Sequence, residues 1–160
     1  MTVRYVHTNI VAKNWRLLAD FYENALHCER LDPPLDISGD WLAEGTGVAD
    51  ARLTGIHLRL PGYGPAGPTL EIFEYAEQPP RLRPPAANRP GYGHLAFEVD
   101  DVEAVRASVL AHGGQDLGRP VSHGLPGHGR ITFTYLTDPE GNIIELQSWD
   151  GVSRYGPLIP

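Results

Sequence analysis

The chain has 160 residues, the size of one ordinary domain, and its 41% hydrophobic and 21% charged residues lie near globular averages. Its net charge of −7, without any long basic run, argues against nucleic acid or an anionic membrane surface as a partner. A single cysteine, no cleavable apolar N-terminal stretch and no apolar segment of about 20 residues together predict a cytoplasmic protein that does not enter membranes.

The first predicted elements are a strand and a helix. Residues 3–11 alternate between apolar and polar side chains, which predicts a half-buried strand, and Asn14 is a preferred helix N-cap. Apolar residues at steps of three and four then predict a helix with one buried stripe. The stripe consists of Trp15, Leu18, Tyr22 and Ala25, widened by Leu17, Phe21 and Leu26.

Two further strands complete the first half. They are predicted at residues 51–60 and 69–75, where β-branched and aliphatic residues dominate, and the segments 32–50 and 61–68 are predicted as loops. This first module covers residues 1–77. Residues 78–90 contain five prolines and are predicted to form a semi-rigid linker.

The second half repeats the first. A strand from His94 and an N-cap at Asp101 precede a helix, and strands are predicted at 130–137 and 142–149. The segment 122–129 is rich in glycine and is predicted as a mobile loop, while 138–142 is predicted as a hairpin turn. The second module covers 91–150, and 151–160 form a C-terminal tail. Each module therefore consists of a strand, a helix and about three strands, within one α+β domain spanning 1–160.

Alternation along the last strand of each module separates an aliphatic face from a polar one. Leu70 and Ile72 share the aliphatic face in the first module, and Ile144 and Leu146 share it in the second. The opposite faces carry one glutamate each, followed by larger side chains that suit the lining of a cavity. They comprise Glu71, Phe73 and Tyr75 in the first module, and Glu145, Gln147 and Trp149 in the second.

Two histidines occupy equivalent places in the opening strands of the modules. If a pseudo-two-fold relation brings Glu71 and Glu145 together, it also brings His7 and His94 together. Imidazole and carboxylate are ligands for borderline and hard divalent ions, so these four residues are predicted to hold one ion of Zn, Ni, Co, Mn or Fe. Without a thiolate, an open working site is favoured over a closed structural one.

Several segments of the chain resemble the vicinal oxygen chelate superfamily, which includes glyoxalase I, methylmalonyl-CoA epimerase, extradiol dioxygenases and bleomycin-resistance proteins. The resemblance covers residues 3–149, and it implies tandem βαβββ modules that form a curled mixed β-sheet around a metal-binding cavity, with the helices outside. The segments that carry it are 6–10 (VHTNI), 20–23 (DFYE), 70–72 (LEI), 93–102 (GHLAFEVDDV) and 138–146 (DPEGNIIEL).

The ligand positions of the superfamily carry over onto His7, Glu71, His94 and Glu145. This four-ligand pattern is similar to that of glyoxalase I and the epimerase. The resemblance therefore implies an isomerase, epimerase or lyase that transfers a proton next to a carbonyl of a small chelating substrate, through an enediolate or enolate. Glu145 is the expected catalytic base, Glu71 is expected to serve the opposite face of the substrate, and a homodimer is the expected assembly.

Two other functions are compatible with the same residues. In an iron(II) extradiol dioxygenase, His7, His94 and Glu145 would form the metal triad, and Glu71 would be a bystander. In a non-catalytic protein of the drug-resistance type, the aromatic residues Phe73, Tyr75 and Trp149 would line a cavity for an organic molecule.

Other polar residues are weaker candidates for substrate contacts. The alternation Ile56, Leu58, Leu60 puts His57 and Arg59 on the cavity side of their strand, although both can equally face solvent near its end. Together with Phe73, Tyr75, Gln147 and Trp149, they form the predicted substrate cavity. Glu44 is the one candidate near the third strand for the additional glutamate that takes part in epimerase relatives.

Overall fold

The computed structural model describes residues 2–151, so the predicted C-terminal tail lies outside the described residues from position 152 onward. The chain divides into two compact units, of which the first ends at Arg81 and the second begins at Leu82. Each unit contains its own β-sheet together with one or two helices, which confirms the predicted α+β class. None of the helices within residues 2–151 is long and apolar enough to cross a membrane.

The first unit is built on a four-stranded sheet with the strand order β1-β4-β3-β2. Strand β1 runs parallel to β4, and the other pairs are antiparallel. Its elements are β1 (His7–Val11), α1 (Trp15–Leu26), β2 (Glu29–Ser38), α2 (Asp40–Thr46), β3 (Arg52–Arg59) and β4 (Thr69–Tyr75).

The second unit is built on a five-stranded sheet in which β5-β9-β8-β6 are neighbours and β7 also pairs with β8. Here β5 runs parallel to β9, as β1 does to β4 in the first unit. Its elements are β5 (Leu95–Glu98), α3 (Val102–Ala111), β6 (Gln115–Asp116), β7 (Val121–Leu125), β8 (Gly129–Thr137) and β9 (Ile143–Asp150).

Both longer helices begin at the predicted N-caps. The side chain of Asn14 accepts a hydrogen bond from the backbone N–H of Leu17 at 3.1 Å, and Asp101 accepts one from Ala104 at 3.0 Å. These bonds satisfy a backbone donor that the first helical turn leaves without a partner. The caps therefore fix where each helix starts relative to the strand before it.

The aliphatic faces of the sheets pack against α1 and α3. Helix α1 contacts β3 and β4, helix α3 contacts β8 and β9, and the aliphatic residues predicted on these faces are completely buried. The predicted stripe of α1 is buried too, but Leu17 is 65% exposed, so its assignment to the stripe is wrong. Leu17 lies two residues after Trp15, about 200° around the helix, and therefore faces away from the sheet.

Three segments differ from their predicted structure. The first strand begins at His7 rather than at residue 3, and the predicted loop 32–50 contains most of β2 and all of α2. The prolines that suggested a loop there fall where the β2–β3 register shifts, between Leu31 and Leu35. The predicted loop 122–129 instead supplies most of β7, whose backbone pairs with β8 despite its glycines.

Candidate functional site

Glu71 lies at the centre of the polar face of the first unit. Its strand β4 runs between β1 and β3, and the register places Asn9 on one side of Glu71 and His57 on the other. Opposed residues on neighbouring strands project from the same face of a sheet. His7 lies two residues before Asn9 and therefore projects from the same face.

Glu71 is only 8% exposed, and its carboxylate lies near nitrogen atoms on both sides. Its Oε2 lies 3.4 Å from Nε2 of His7 and accepts a hydrogen bond from the Asn9 amide at 3.4 Å. Its Oε1 lies 3.4 Å from Nε2 of His57. Burying a carboxylate costs free energy unless neighbouring polar groups compensate its charge. On this sheet face His7, His57 and Asn9 supply those groups.

The second unit repeats this arrangement around Glu145. Its Oε2 lies 2.8 Å from Nε2 of His94. Strand β5 places Ala96 opposite Glu145, and His94 precedes Ala96 by two residues, just as His7 precedes Asn9. The two histidines thus have the same register relation to their glutamates.

Tyr135 is a residue of this face that the sequence did not predict. It lies opposite Glu145 in the β8–β9 register, the place that His57 takes opposite Glu71 in β3–β4. Its ring lies 5.0 Å from that of His94, and burial, together with the charge of Glu145, raises the pKa of its hydroxyl. Extending the internal repeat to the third strand of each module would have found it.

In the first unit, the residues predicted to line a substrate cavity contact other protein side chains. Arg59 forms an ion pair with Glu29 on the neighbouring strand. Phe73 and Tyr75 pack against a small apolar cluster of Leu42, Ala51 and Leu53 under α2.

Two predicted cavity residues of the second unit lie on the same side of β9 as Glu145. Gln147 is buried, and Trp149 has a buried indole N–H without a hydrogen-bond partner among the described residues. Glu44 is exposed on α2. The two side chains that follow Glu145 on this face of β9, Gln147 and Trp149, thus both carry a polar group.

The four predicted metal ligands form two His–Glu pairs, one within each unit. Between residues 2 and 151, no three His, Cys, Asp or Glu side chains lie close enough to hold an ion as they stand. Each pair combines a neutral nitrogen donor with an anionic oxygen donor, the combination that divalent transition metals and zinc accept.

Comparison with known sequences agrees with the internal repeat. A family model described as Glyoxalase/Bleomycin resistance protein/Dioxygenase superfamily matches residues 4–146. The chain is also 37% identical over 65 residues to a Mycobacterium tuberculosis protein named "Putative glyoxylase CFP32" and to its Mycobacterium bovis counterpart. That similarity covers 41% of this chain and only 23% of each curated relative.

Solved structures of the same fold include a glyoxalase family protein from Bacillus cereus. It superimposes with a TM-score of 0.80 at 19% identity, over 94% of this chain and 97% of its own. A glyoxalase I variant from Zea mays gives a TM-score of 0.61 at 21% identity, over 89% of this chain and 45% of that one. These likenesses concern the fold, and together with the sequence match they confirm the resemblance: the chain belongs to the Glyoxalase/Bleomycin resistance protein/Dioxygenase superfamily.

Proposed function

We propose that this protein is a divalent-metal-dependent enzyme of the glyoxalase type, which transfers a proton next to a carbonyl of a small chelating substrate. Its metal ligands are His7, Glu71, His94 and Glu145. The observation that carries the proposal is the repeated pair, in which an imidazole Nε2 faces a largely buried carboxylate at 3.4 Å in one unit and 2.8 Å in the other.

The donor set suits the ion. Two imidazoles and two carboxylates favour Zn, Ni, Co, Mn or Fe, and they leave coordination positions for substrate oxygens. When bound, the ion supplies Lewis acidity toward a carbonyl oxygen and thereby makes the neighbouring carbon-bound proton more acidic.

Glu145 is the proposed general base. Its carboxylate is held by His94. On the same sheet face lies the hydroxyl of Tyr135, which is protonated at neutral pH and whose pKa is raised further by burial and by the charge of Glu145. Tyr135 can therefore donate a hydrogen bond to an oxygen atom of the substrate while Glu145 accepts the proton. Glu71 serves as ligand and as the base for the opposite face of the substrate.

The surroundings of Glu71 favour an isomerase over a dioxygenase. In an iron(II) dioxygenase with three ligands, Glu71 would have no role at the metal. Here two imidazoles and an amide converge on its buried carboxylate, an arrangement that suits a ligand better than a bystander.

Proton exchange tests the proposal directly. Metal-loaded protein is incubated in D2O with an α-hydroxy-carbonyl, a 2-oxo-thiohemiacetal and an acyl-CoA, and NMR follows deuterium uptake at carbon. We expect uptake with one of these classes, and we expect Glu145→Gln to lower kcat by about 10²- to 10⁴-fold because the base is lost. Glu77→Gln, which removes an exposed carboxylate just after β4, is the matched control and should behave like the unmodified protein.

Two results would contradict the proposal. If the metal-loaded protein exchanges no proton with any of the three substrate classes, the proposed reaction is wrong. Oxygen uptake with catechols that survives Glu71→Ala would instead assign the protein to the dioxygenases.

We also propose that the protein works as a homodimer in the reducing cytoplasm. Members of the superfamily commonly pair chains, and the one cysteine, Cys28, is buried. Light scattering in solution should give twice the mass of one chain, whereas the mass of a single chain would contradict the dimer.

A further inference from the structure

We infer that His57 is a third metal ligand beside His7 and Glu71, so that the first unit can hold a divalent cation with its own residues. This inference deepens the proposed function, because it concerns the same ion. It assigns a ligand role to a side chain on β3, whereas the four proposed ligands lie on or beside β1, β4, β5 and β9.

The topology brings these three residues together. The strands β1, β4 and β3 are consecutive neighbours in the sheet, and each supplies one of the residues. His57 lies directly opposite Glu71, while His7 reaches the same carboxylate from the other side. Side chains on rigid neighbouring strands hold their relative positions well, which suits a metal site.

The distances are compatible with ligands of one ion. Two ligand atoms that each lie ~2.1 Å from one ion, at angles of about 90–110°, are ~3.0–3.4 Å apart. Both imidazole nitrogens lie 3.4 Å from an oxygen of Glu71, and each faces a different oxygen, as around a carboxylate that binds through both.

The two rings need to approach each other only slightly. Their centroids are 6.3 Å apart, somewhat wider than the ~5–6 Å expected for two imidazoles on one ion with bonds of ~2.1 Å. At these positions the three side chains do not surround a common point closely enough to hold an ion, so binding requires this small movement.

The other ring nitrogen of His57 already has a partner. Its Nδ1 lies 3.5 Å from the hydroxyl of Thr69, which lets Nε2 point toward Glu71. Ligating histidines usually have such a partner at the second nitrogen, because it fixes the tautomer and the orientation of the ring. Asn9 plays a similar part for Oε2 of Glu71.

The chemistry of the set defines the cation. Two imidazoles and one carboxylate select Mn, Fe, Co, Ni or Zn in the divalent state, whereas Mg and Ca prefer oxygen ligands throughout. Three protein ligands leave positions on the ion to which a substrate with two adjacent oxygens can bind.

The experiment uses the intact chain and Co²⁺ as the probe. His94→Ala/Glu145→Ala removes the pair of the second unit, and we expect this protein still to bind one Co²⁺ per chain in equilibrium dialysis. Adding His57→Ala should then weaken binding at least about 100-fold, since outer partners of a ligand alone account for about 10- to 100-fold. His123→Ala, which removes an exposed strand histidine on β7, is the matched control and should leave binding unchanged.

A second variant separates a ligand from a positioning residue. In His57→Gln the side-chain amide can still donate a hydrogen bond to Glu71, but it is a poor ligand for these ions. Circular dichroism checks that each variant folds. Binding that stays as weak in His57→Gln as in His57→Ala supports the inference, whereas binding restored by glutamine overturns it.

Further outcomes of the same experiment test the inference about His57. Loss of Co²⁺ binding in His94→Ala/Glu145→Ala, or equal binding by the His57→Ala and His123→Ala proteins, overturns the inference. If the protein exchanges protons but its Co²⁺ affinity does not depend on His57, the inference about His57 is wrong and the proposed reaction stands. If Co²⁺ affinity depends on His57 but the protein exchanges no proton, His57 is a ligand and the proposed reaction is wrong.

Discussion

Glu71 and Glu145 are largely shielded from water, with side chains only 10% and 15% exposed. Carboxylates are rarely buried to this extent unless partners compensate their charge. In both cases an imidazole nitrogen is one such partner. His7 lies on the strand that runs parallel to the strand of its glutamate, and His94 lies just before the corresponding strand. Such positions are poor choices for stability alone, and this supports a chemical role for both residues.

At the same scale, the thiol of Cys28 gives a prediction about pH. Burial raises its pKa from 9.0 to about 12, so the thiol is protonated and unreactive in the folded protein at neutral pH. Because the folded state binds this proton more tightly than the unfolded state, the stabilisation is complete below pH 9 and is lost as the pH rises toward 12. We expect the free energy of unfolding, measured in urea, to fall over this range.

Cys28→Ala provides the control for this effect. Other groups titrate in the same range in both proteins, so the variant should lose less free energy of unfolding between pH 9 and 12 than the unmodified chain does. Parallel pH profiles for the two proteins would show that the buried thiol makes no such contribution.

Among the elements, those with one aliphatic face and one polar face were predictable from the sequence. Strand β4 has the predicted bounds, and α1 and α3 begin after the predicted caps. Strands β2 and β7 were missed because their prolines and glycines hide a structure that depends on pairing with β3 and β8. Tertiary pairing outweighs local propensity in such strands.

The caps give a prediction at this scale. We expect Asn14→Ala and Asp101→Ala each to lower the free energy of unfolding by about 1 kcal/mol, because each leaves a helix N–H without its partner. Leu17→Ala, an exposed change on α1, should alter it by less than about 0.5 kcal/mol. Urea denaturation measures all three, and cap variants no less stable than Leu17→Ala would contradict the assigned caps.

The candidate site was predictable only in part, because register determines which side chains meet. Alternation places His57 on the polar side of β3, but a loop of nine residues, 60–68, separates β3 from β4. The pairing of His57 with Glu71 therefore could not be derived from a short turn type. Tyr135 was missed for a different reason, since an aromatic residue in a strand usually indicates packing.

For the whole molecule, the internal repeat relates two units that each carry a His–Glu pair at equivalent register positions. The solved structures of the same fold described above are at most 21% identical to this chain, so they establish the fold without defining the substrate. What the two units share is the pair of donors, and the ion is therefore the most direct point at which to test function.

Metal analysis of the intact protein, purified from medium that contains Zn, Ni, Co, Mn and Fe, is the decisive measurement. We predict one divalent ion per chain, and we predict that a folded His7→Ala/Glu71→Gln variant purifies without it. The opposite result, a metal-free protein that retains a tightly bound organic molecule, would contradict a metal-dependent enzyme and would favour a binding protein instead.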